Sequence, residues 1–156
     1  MPAWLPKVGL KWKLSPSLET VKWNGRGPFE NYPDRKSGAK PGIYQSKTSG
    51  FCEPYLKPQD YGCRTDNKWV TFENKEGAGM TFSGDQLFNF SAQVYDTENL
   101  TRAQYPYQLK LSDGIIFNFD YATSGVGCTA ISVLDEYRVL PKVYSFVSVI
   151  KPFRTK

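Results

Sequence analysis

Histidine is missing from all 156 residues. Because imidazole is the commonest general base near neutral pH and the commonest metal ligand, Ser-His-Asp and Cys-His catalysis are excluded within this chain, and no metal site is expected. Cysteine is scarce: Cys52, Cys63 and Cys128 are odd in number and show no CxxC spacing. Neither a disulfide framework nor a zinc cage has support. A Cys52 to Cys63 bridge stays open, with reduced, partly buried thiols the expected state. No apolar run approaches the roughly 20 residues that cross a bilayer. The longest, Val143 to Ile150, is broken by Tyr144, Ser145 and Ser148, so no membrane partner is expected. The first residues lack the apolar core and small-residue cleavage site of a signal peptide. A cytoplasmic location is the expectation, or export if a signal lies on an upstream segment.

Charge of one sign is also not concentrated. The formal net charge is +5, but the basic residues are scattered among acids, and the densest cluster is Lys151 to Lys156. That cluster reads as a solvated tail, since a polybasic anchor wants about 4 to 8 basic residues together. What the chain has in excess is aromatic: ten Tyr, ten Phe and four Trp, beside thirteen Gly and eleven Pro. Flat rings suit a pleated sheet and Gly and Pro punctuate it, so strands and turns are favoured over helices.

Period-two alternation marks strands at Val8 to Leu14, Thr20 to Asn24, Lys68 to Glu73, Leu87 to Tyr95, Gly114 to Tyr121 and Val143 to Phe153. The turn residues from Glu73 to Gly79 lie between two alternating segments, Lys68 to Phe72 and Met80 to Phe82, as a hairpin requires. Only Asp96 to Gln104 looks helical, with Asp96 or Thr97 as cap and Tyr105-Pro106 as stop. Gly25 to Asp66 reads as long loops joined by short strands, the kind of segment that carries function or an interface. Pattern alone predicts a single all-β domain over 1–156, sandwich-like, with one short helix. Trp12 and Trp69 fall on alternating strand positions and are expected in the core. Trp23 is the less secure core assignment, and Tyr105 and Tyr107, flanking Pro106, are expected to be exposed.

The run Gly27-Pro28-Phe29-Glu30-Asn31-Tyr32-Pro33-Asp34-Arg35 resembles the Gly-Pro-x-Glu-Asn-Tyr-Pro-Asp-Arg signature of the last domain of family 2 β-galactosidases. The likeness continues in register. Val8-Gly9-Leu10 precedes it; Tyr55-Leu56-Lys57-Pro58-Gln59, Gly62-Cys63-Arg64-Thr65-Asp66, Phe88-Asn89-Phe90-Ser91, Tyr107-Gln108-Leu109, Asn118-Phe119-Asp120-Tyr121 and Gly125-Val126-Gly127 follow. The resemblance covers about Leu5 to Phe153. It implies a β-supersandwich of the galactose-mutarotase-like type, two large sheets face to face, of which this chain is the C-terminal half.

Retaining glycosidases need two carboxyl groups about 5 to 5.5 Å apart. In the family the chain resembles, both are glutamates of a TIM-barrel domain, which strand-rich residues of this length do not supply. The resemblance therefore implies a non-catalytic C-terminal module with no catalytic residue and no cofactor of its own, partnered by the remaining domains of a parent β-galactosidase. That module completes the architecture, the active-site rim or subunit contacts. Some members lend a Trp to the active site from a loop after the Gly-x-Gly motif. Here that stretch reads Gly125-Val126-Gly127-Cys128-Thr129-Ala130-Ile131-Ser132-Val133, without Trp, so the role is not carried over, and Cys128 to Ser132 would shape such a loop differently.

Glu30, Asn31, Asp34, Arg35 and Arg64 are the candidate substrate-binding residues, because charged donors and acceptors bond strongly to sugar hydroxyls. The competing reading, preferred here, is that they pair with one another and with loop backbone, since a loop without regular ladders needs side chains to satisfy its buried peptide groups. Asn118 and Asp120 share one face of a strand, where a structural role is again preferred over a catalytic one. Two alternatives compete with the module: a free-standing carbohydrate-binding or mutarotase-like domain, against which the lack of His weighs, and a single-stranded nucleic-acid-binding domain, suggested by the basic pI of about 9.0 and the aromatics. No nucleic-acid motif supports the latter, so no such partner is expected. A half-sandwich exposing an apolar face or an unpaired edge predicts a homo-oligomer of the isolated chain.

Overall fold

The computed structural model describes residues 3–128 and 131–155. The strands are β1 (Lys7–Leu14), β2 (Thr20–Gly27), β3 (Lys40–Lys47), β4 (Arg64–Glu73), β5 (Ala78–Tyr95), β6 (Leu111–Thr123) and β7 (Ser148–Arg154), and all but β3 overlap a segment that alternation predicts. They make one antiparallel seven-stranded sheet in the order β1-β6-β5-β4-β2-β3, with β7 also on β5. The fold is all-β and sandwich-like, with a single α-helix among the described residues, α1 (Thr97–Arg102). Asp96 caps α1, its carboxylate accepting from the Glu98 N–H at 3.1 Å, and Leu100 pins the helix to the body.

Strand β5 organises the sheet. One of its edges carries β4 between Gly79 and Phe90, whereas the other pairs with β7 over Ala78 to Gly84 and with β6 over Asn89 to Tyr95. Between those stretches Asp85, Gln86 and Leu87 are exposed, and Asp85 exchanges hydrogen bonds with Val147 (3.2 and 3.3 Å). The strand bends there, and the core shows how far. Phe72 pairs with Met80, and Phe117 with Ala92. On a straight strand, positions 80 and 92 would stand roughly 40 Å apart at about 3.3 Å per residue. Yet the Phe72 and Phe117 rings lie 4.8 Å apart and Phe82 lies 4.6 Å from Phe117. The sheet is doubled over, and its two halves pack their aromatic faces on each other. Leu14, Val21, Trp23, Val70, Phe90 and Phe119 extend this core.

The hairpin β4–β5 turns on Asn74, whose side chain accepts from the N–H groups of Glu76 and Ala78, and on Gly77, whose φ of +74° suits glycine. Three expectations need correction. Gly25 to Asp66, expected as long loops joined by short strands, holds a full eight-residue edge strand at Lys40–Lys47; Pro41 and Gly42 hid its length, and an edge tolerates both. The last strand begins at Ser148, not Val143. Trp23, not Trp12 or Trp69, is the core tryptophan. Trp23 is 1 % exposed against Tyr44, Phe51 and Phe90, whereas Trp12 is 37 % exposed and Trp69 half-buried. The physical reason is position: β2 lies inside the sheet, β1 is an edge, and Trp69 sits on the opposite face from Val70. All three cysteines are free, but only Cys63 is buried; Cys52 and Cys128 are exposed. Tyr105 and Tyr107 are exposed and stacked on each other, 5.6 Å apart.

Phe117 touches Phe72, Phe82, Phe90 and Phe119. Replacing it with Ala is expected to cost about 3 to 5 kcal/mol, measured as a lower urea midpoint than that of the unchanged chain.

Candidate functional site

Beyond Gly27, where β2 ends, the segment to Arg35 makes few backbone hydrogen bonds, a Tyr32–Arg35 bridge and the Asn31 N–H to the Cys63 carbonyl, and its side chains tie it to the rest of the chain. Glu30, buried at 8 % exposure, accepts from the Arg35 guanidinium, the Tyr55 hydroxyl, the Gly62 N–H at 2.9 Å and the Tyr32 hydroxyl at 3.4 Å. One carboxylate thereby ties the signature segment to the stretch 55–62. Asn31 is fully buried and does the same for the start of β4. Its side-chain oxygen accepts from the Thr65 N–H (3.0 Å) and hydroxyl (2.5 Å), its amide donates to the Phe29 carbonyl, and its backbone N–H reaches the Cys63 carbonyl at 2.9 Å. Asp34 accepts from the N–H groups of Val126 (3.1 Å) and Gly127 (2.7 Å) and so anchors the Gly-x-Gly loop. Of that loop, Cys128 and Ile131 bond to each other through backbone groups, while Thr129 and Ala130 lie outside the described residues.

Arg64 is 2 % exposed. Its guanidinium stacks over Phe51 (4.5 Å) and Trp23 (5.5 Å) and donates to the carbonyls of Gly62 and Cys63, and its Nε has no partner among the described residues. Burial pulls its pKa below the usual value. Nearby, Asp66 takes a left-handed φ of 59° and gathers Arg26 (2.6 Å) and Lys36 (2.9 Å). Burial alone would raise the Asp66 pKa, but these two cations hold it below the ordinary carboxylate range. All five candidate residues thus gather around one loop system, with Arg35 the one whose side chain keeps a large exposed surface, 55 %.

A second polar group lies on the sheet face opposite the aromatic core. Ser91 pairs with Asn118, and Asp120 with Asn89 on one side and Gly9 on the other. The Asn118 amide donates to Ser91 Oγ at 2.9 Å. Gln93 donates to Asp60 (2.5 Å) and to the Tyr61 carbonyl (2.8 Å), and Lys7 pairs with Asp60 at 3.0 Å. Asp120 is 5 % exposed. Burial pushes its carboxyl up to about 7, Lys7 opposing the rise and Asp60 adding to it. Burial would depress the Lys7 ammonium, but Asp120 and Asp60 lift it above its usual value. Burial also raises the Cys63 thiol well above the usual range, which makes it an inert thiol. Of this group only Asn118 and Asp120 stand out in the sequence. The signal for the rest was the polar alternation Asn89, Ser91, Gln93 between aromatic neighbours. Among the described residues no group of three or more His, Cys, Asp or Glu could hold a metal ion, and no helix is long and apolar enough to cross a membrane.

A doubled antiparallel sheet with a side-chain-latched loop segment defines an all-β, sandwich-like domain. The family model described as β-galactosidase small chain matches residues 1–150, and the chain belongs to that family. It is similar to β-galactosidases from Photobacterium profundum (35 % identity over 153 residues, 95 % of this chain), Priestia megaterium (33 % over 123 residues, 79 %) and Kluyveromyces lactis (34 % over 146 residues, 90 %). The matched part is 14 %, 12 % and 14 % of those proteins, so the chain spans only a small share of the relatives it matches.

Asn31→Ala would strand the buried Thr65 N–H, and a loss of about 1 to 3 kcal/mol is expected in chemical denaturation. For Asp120 the folded pKa is raised, so the folded state binds a proton that the unfolded chain releases near pH 4. The native state is favoured while that proton is held, and the advantage drains away as pH rises from about 4 to about 7. Asp120→Asn is therefore expected to stabilise the chain by on the order of 2 to 4 kcal/mol above about pH 7 and not at all below about pH 4, measured as the difference in denaturation midpoint across that range.

Proposed function

We propose that the chain is a non-catalytic module of a β-galactosidase, working with the remaining domains of its parent and contributing to architecture, active-site rim or subunit contacts. The observation that carries this reading is the match of nearly the whole chain to the small-chain family, while it spans only 12 to 14 % of the β-galactosidases named above. Hydrolysis of a β-galactoside belongs, on this reading, to two carboxylates of the parent's barrel.

The rim of the doubled sheet supports a partner. Trp12 packs its ring 6.4 Å from Phe82, and Ile150 pairs with Phe82 from the other side. Leu10, Trp12 and Ile150 are each more than a third exposed, so the aromatic core runs out to an open apolar edge. Such an edge is what an adjoining domain would cover, and self-association of the isolated chain through it is the competing use.

The test is hydrolysis of a chromogenic β-galactoside by this chain, by the complementary catalytic portion of a full-length relative, and by the two mixed. Activity is expected in the mixture alone. Hydrolysis by the purified chain, or full activity of the catalytic portion without it, would overturn the proposal.

A further inference from the structure

A pocket of about 200 Å³ lies between the stretch from Cys52 to Tyr61 and the segment from Tyr95 to Leu109, which carries α1. Leu100 and Leu109 line it together with three prolines and three tyrosines, Tyr55, Tyr61 and Tyr95. It is smaller than the roughly 300 to 1,000 Å³ typical of drug-sized ligand sites, so it suits one compact group. Two of the tyrosines are held by residues that do not line the pocket. The Tyr55 hydroxyl donates to Glu30, and the Tyr61 hydroxyl accepts from the Val94 N–H at 3.3 Å. Leu100, buried, fixes the wall that α1 contributes. These walls stand ready before a ligand arrives.

Glu53, half-buried, is the one charged side chain in the lining. The Cys52 thiol stays neutral, because loss of water at the sulfur and the Glu53 charge both raise its pKa, and burial likewise raises Tyr55 and Tyr61. The Glu53 carbonyl accepts from the Tyr55 N–H at 2.8 Å, but its carboxylate has no hydrogen bond or ion pair among the described residues. Arg64 feels the Glu53 charge, yet it does not line the pocket and it donates to the carbonyls of Gly62 and Cys63. A carboxylate without a contact partner thus stands in an apolar, aromatic surround.

That combination selects the ligand class. An anion is repelled by Glu53. A polyol would leave most of its hydroxyls without partners against leucine, proline and ring carbon. A neutral apolar molecule would fill the walls but take water from the carboxylate and return nothing for it. A metal ion would lose hydration that these walls do not replace, and the described residues hold no group of three or more metal-ligating side chains. An alkylated ammonium meets each demand. Its charge answers Glu53, its methyl groups pack on the apolar walls, and aromatic rings attract it through their quadrupole.

We propose that this pocket binds a quaternary ammonium group, with Glu53 as the counter-charge and Tyr55, Tyr61 and Tyr95 as the aromatic walls. The site does not rest on the module role, and failure of the mixing experiment above leaves it standing.

The experiment is titration of the isotope-labelled 156-residue chain with choline, followed by amide chemical shifts. Neohexyl alcohol, in which carbon replaces the ammonium nitrogen, tests shape without charge, and ammonium chloride tests charge without the methyl groups. Saturable shifts are expected for choline at the backbone amides of Tyr95, Leu100 and Leu109, with the alcohol binding about tenfold more weakly and ammonium not saturating. Glu53→Gln keeps the shape and removes the charge at a half-buried position that makes no side-chain bond. Choline affinity should then fall to that of the alcohol, whose own affinity should not change. Tyr95→Leu removes one ring and should weaken choline by about threefold. No saturable shift with choline, equal affinity for choline and for the alcohol or ammonium, or undiminished choline affinity in Glu53→Gln would overturn the proposal.

Discussion

The contact of Phe117 with Phe72 and Phe82 is the constraint on which the remaining structure depends, because it forms only if β5 bends and brings the two halves of one sheet together. An isolated antiparallel sheet hides one face at most. Doubling it places the aromatic face of β6 on that of β4 and the first half of β5, so each ring covers another, at roughly 1.5 to 3 kcal/mol for each fully buried side chain. The exposed stretch at Asp85, Gln86 and Leu87 follows from this: a chain turning from one layer to the other must leave the core at that point. The change of partner along β5, from β7 to β6, follows as well, because each layer completes its own edge.

The doubled sheet leaves an open end, and the Pro-rich segment after β2 closes it. A segment with few ladder bonds in a partly buried position must find acceptors and donors for its peptide groups. The same holds for the segments it lies against, and Glu30, Asn31 and Asp34 accept from their N–H groups, each in a different part of the chain: the stretch before β4, the first residues of β4, and the loop after β6. Arg64 is part of the same closure, lying flat between Trp23 and Phe51 where the aromatic core meets the latch. Unusual residue order in the signature is thus explained by geometry, since each polar residue answers a particular orphan backbone group.

How legible all this was in the sequence depended on how local the cause was. The hairpin at Asn74 to Gly77 and the capped helix at Asp96 were readable because their determinants lie within a few residues. Strand β3 was hidden by its own Pro41 and Gly42, which argue against a strand except at an edge, and edge position is a property of the whole sheet. The tryptophans failed for the same reason. Alternation assigned a face to Trp12, Trp23 and Trp69 but could not say which strand would lie inside and which face would be covered. The latch residues were legible as a group through their motif, whereas their separate partners were not, because Thr65, Gly62 and Gly127 lie 32 to 93 positions away. The polar face was partly visible in Asn118 and Asp120. Lys7 and Asp60, far apart in sequence, join it only through folding.

Asp120 sits uneasily in a fold that otherwise answers its buried side-chain carboxylates with donors. Glu30, the comparable buried carboxylate, has four, whereas Asp120 has none among the described residues and keeps a pKa near 7 through burial. An amide or an apolar residue there would escape a desolvation cost that grows with pH. Gly9, beside a β-bulge in the β1–β6 pairing, is required by packing: a Cβ there would run into the Phe119 carbonyl oxygen and lie 2.7 Å from Asp120 Oδ1, so the carboxyl itself occupies the space a side chain would need.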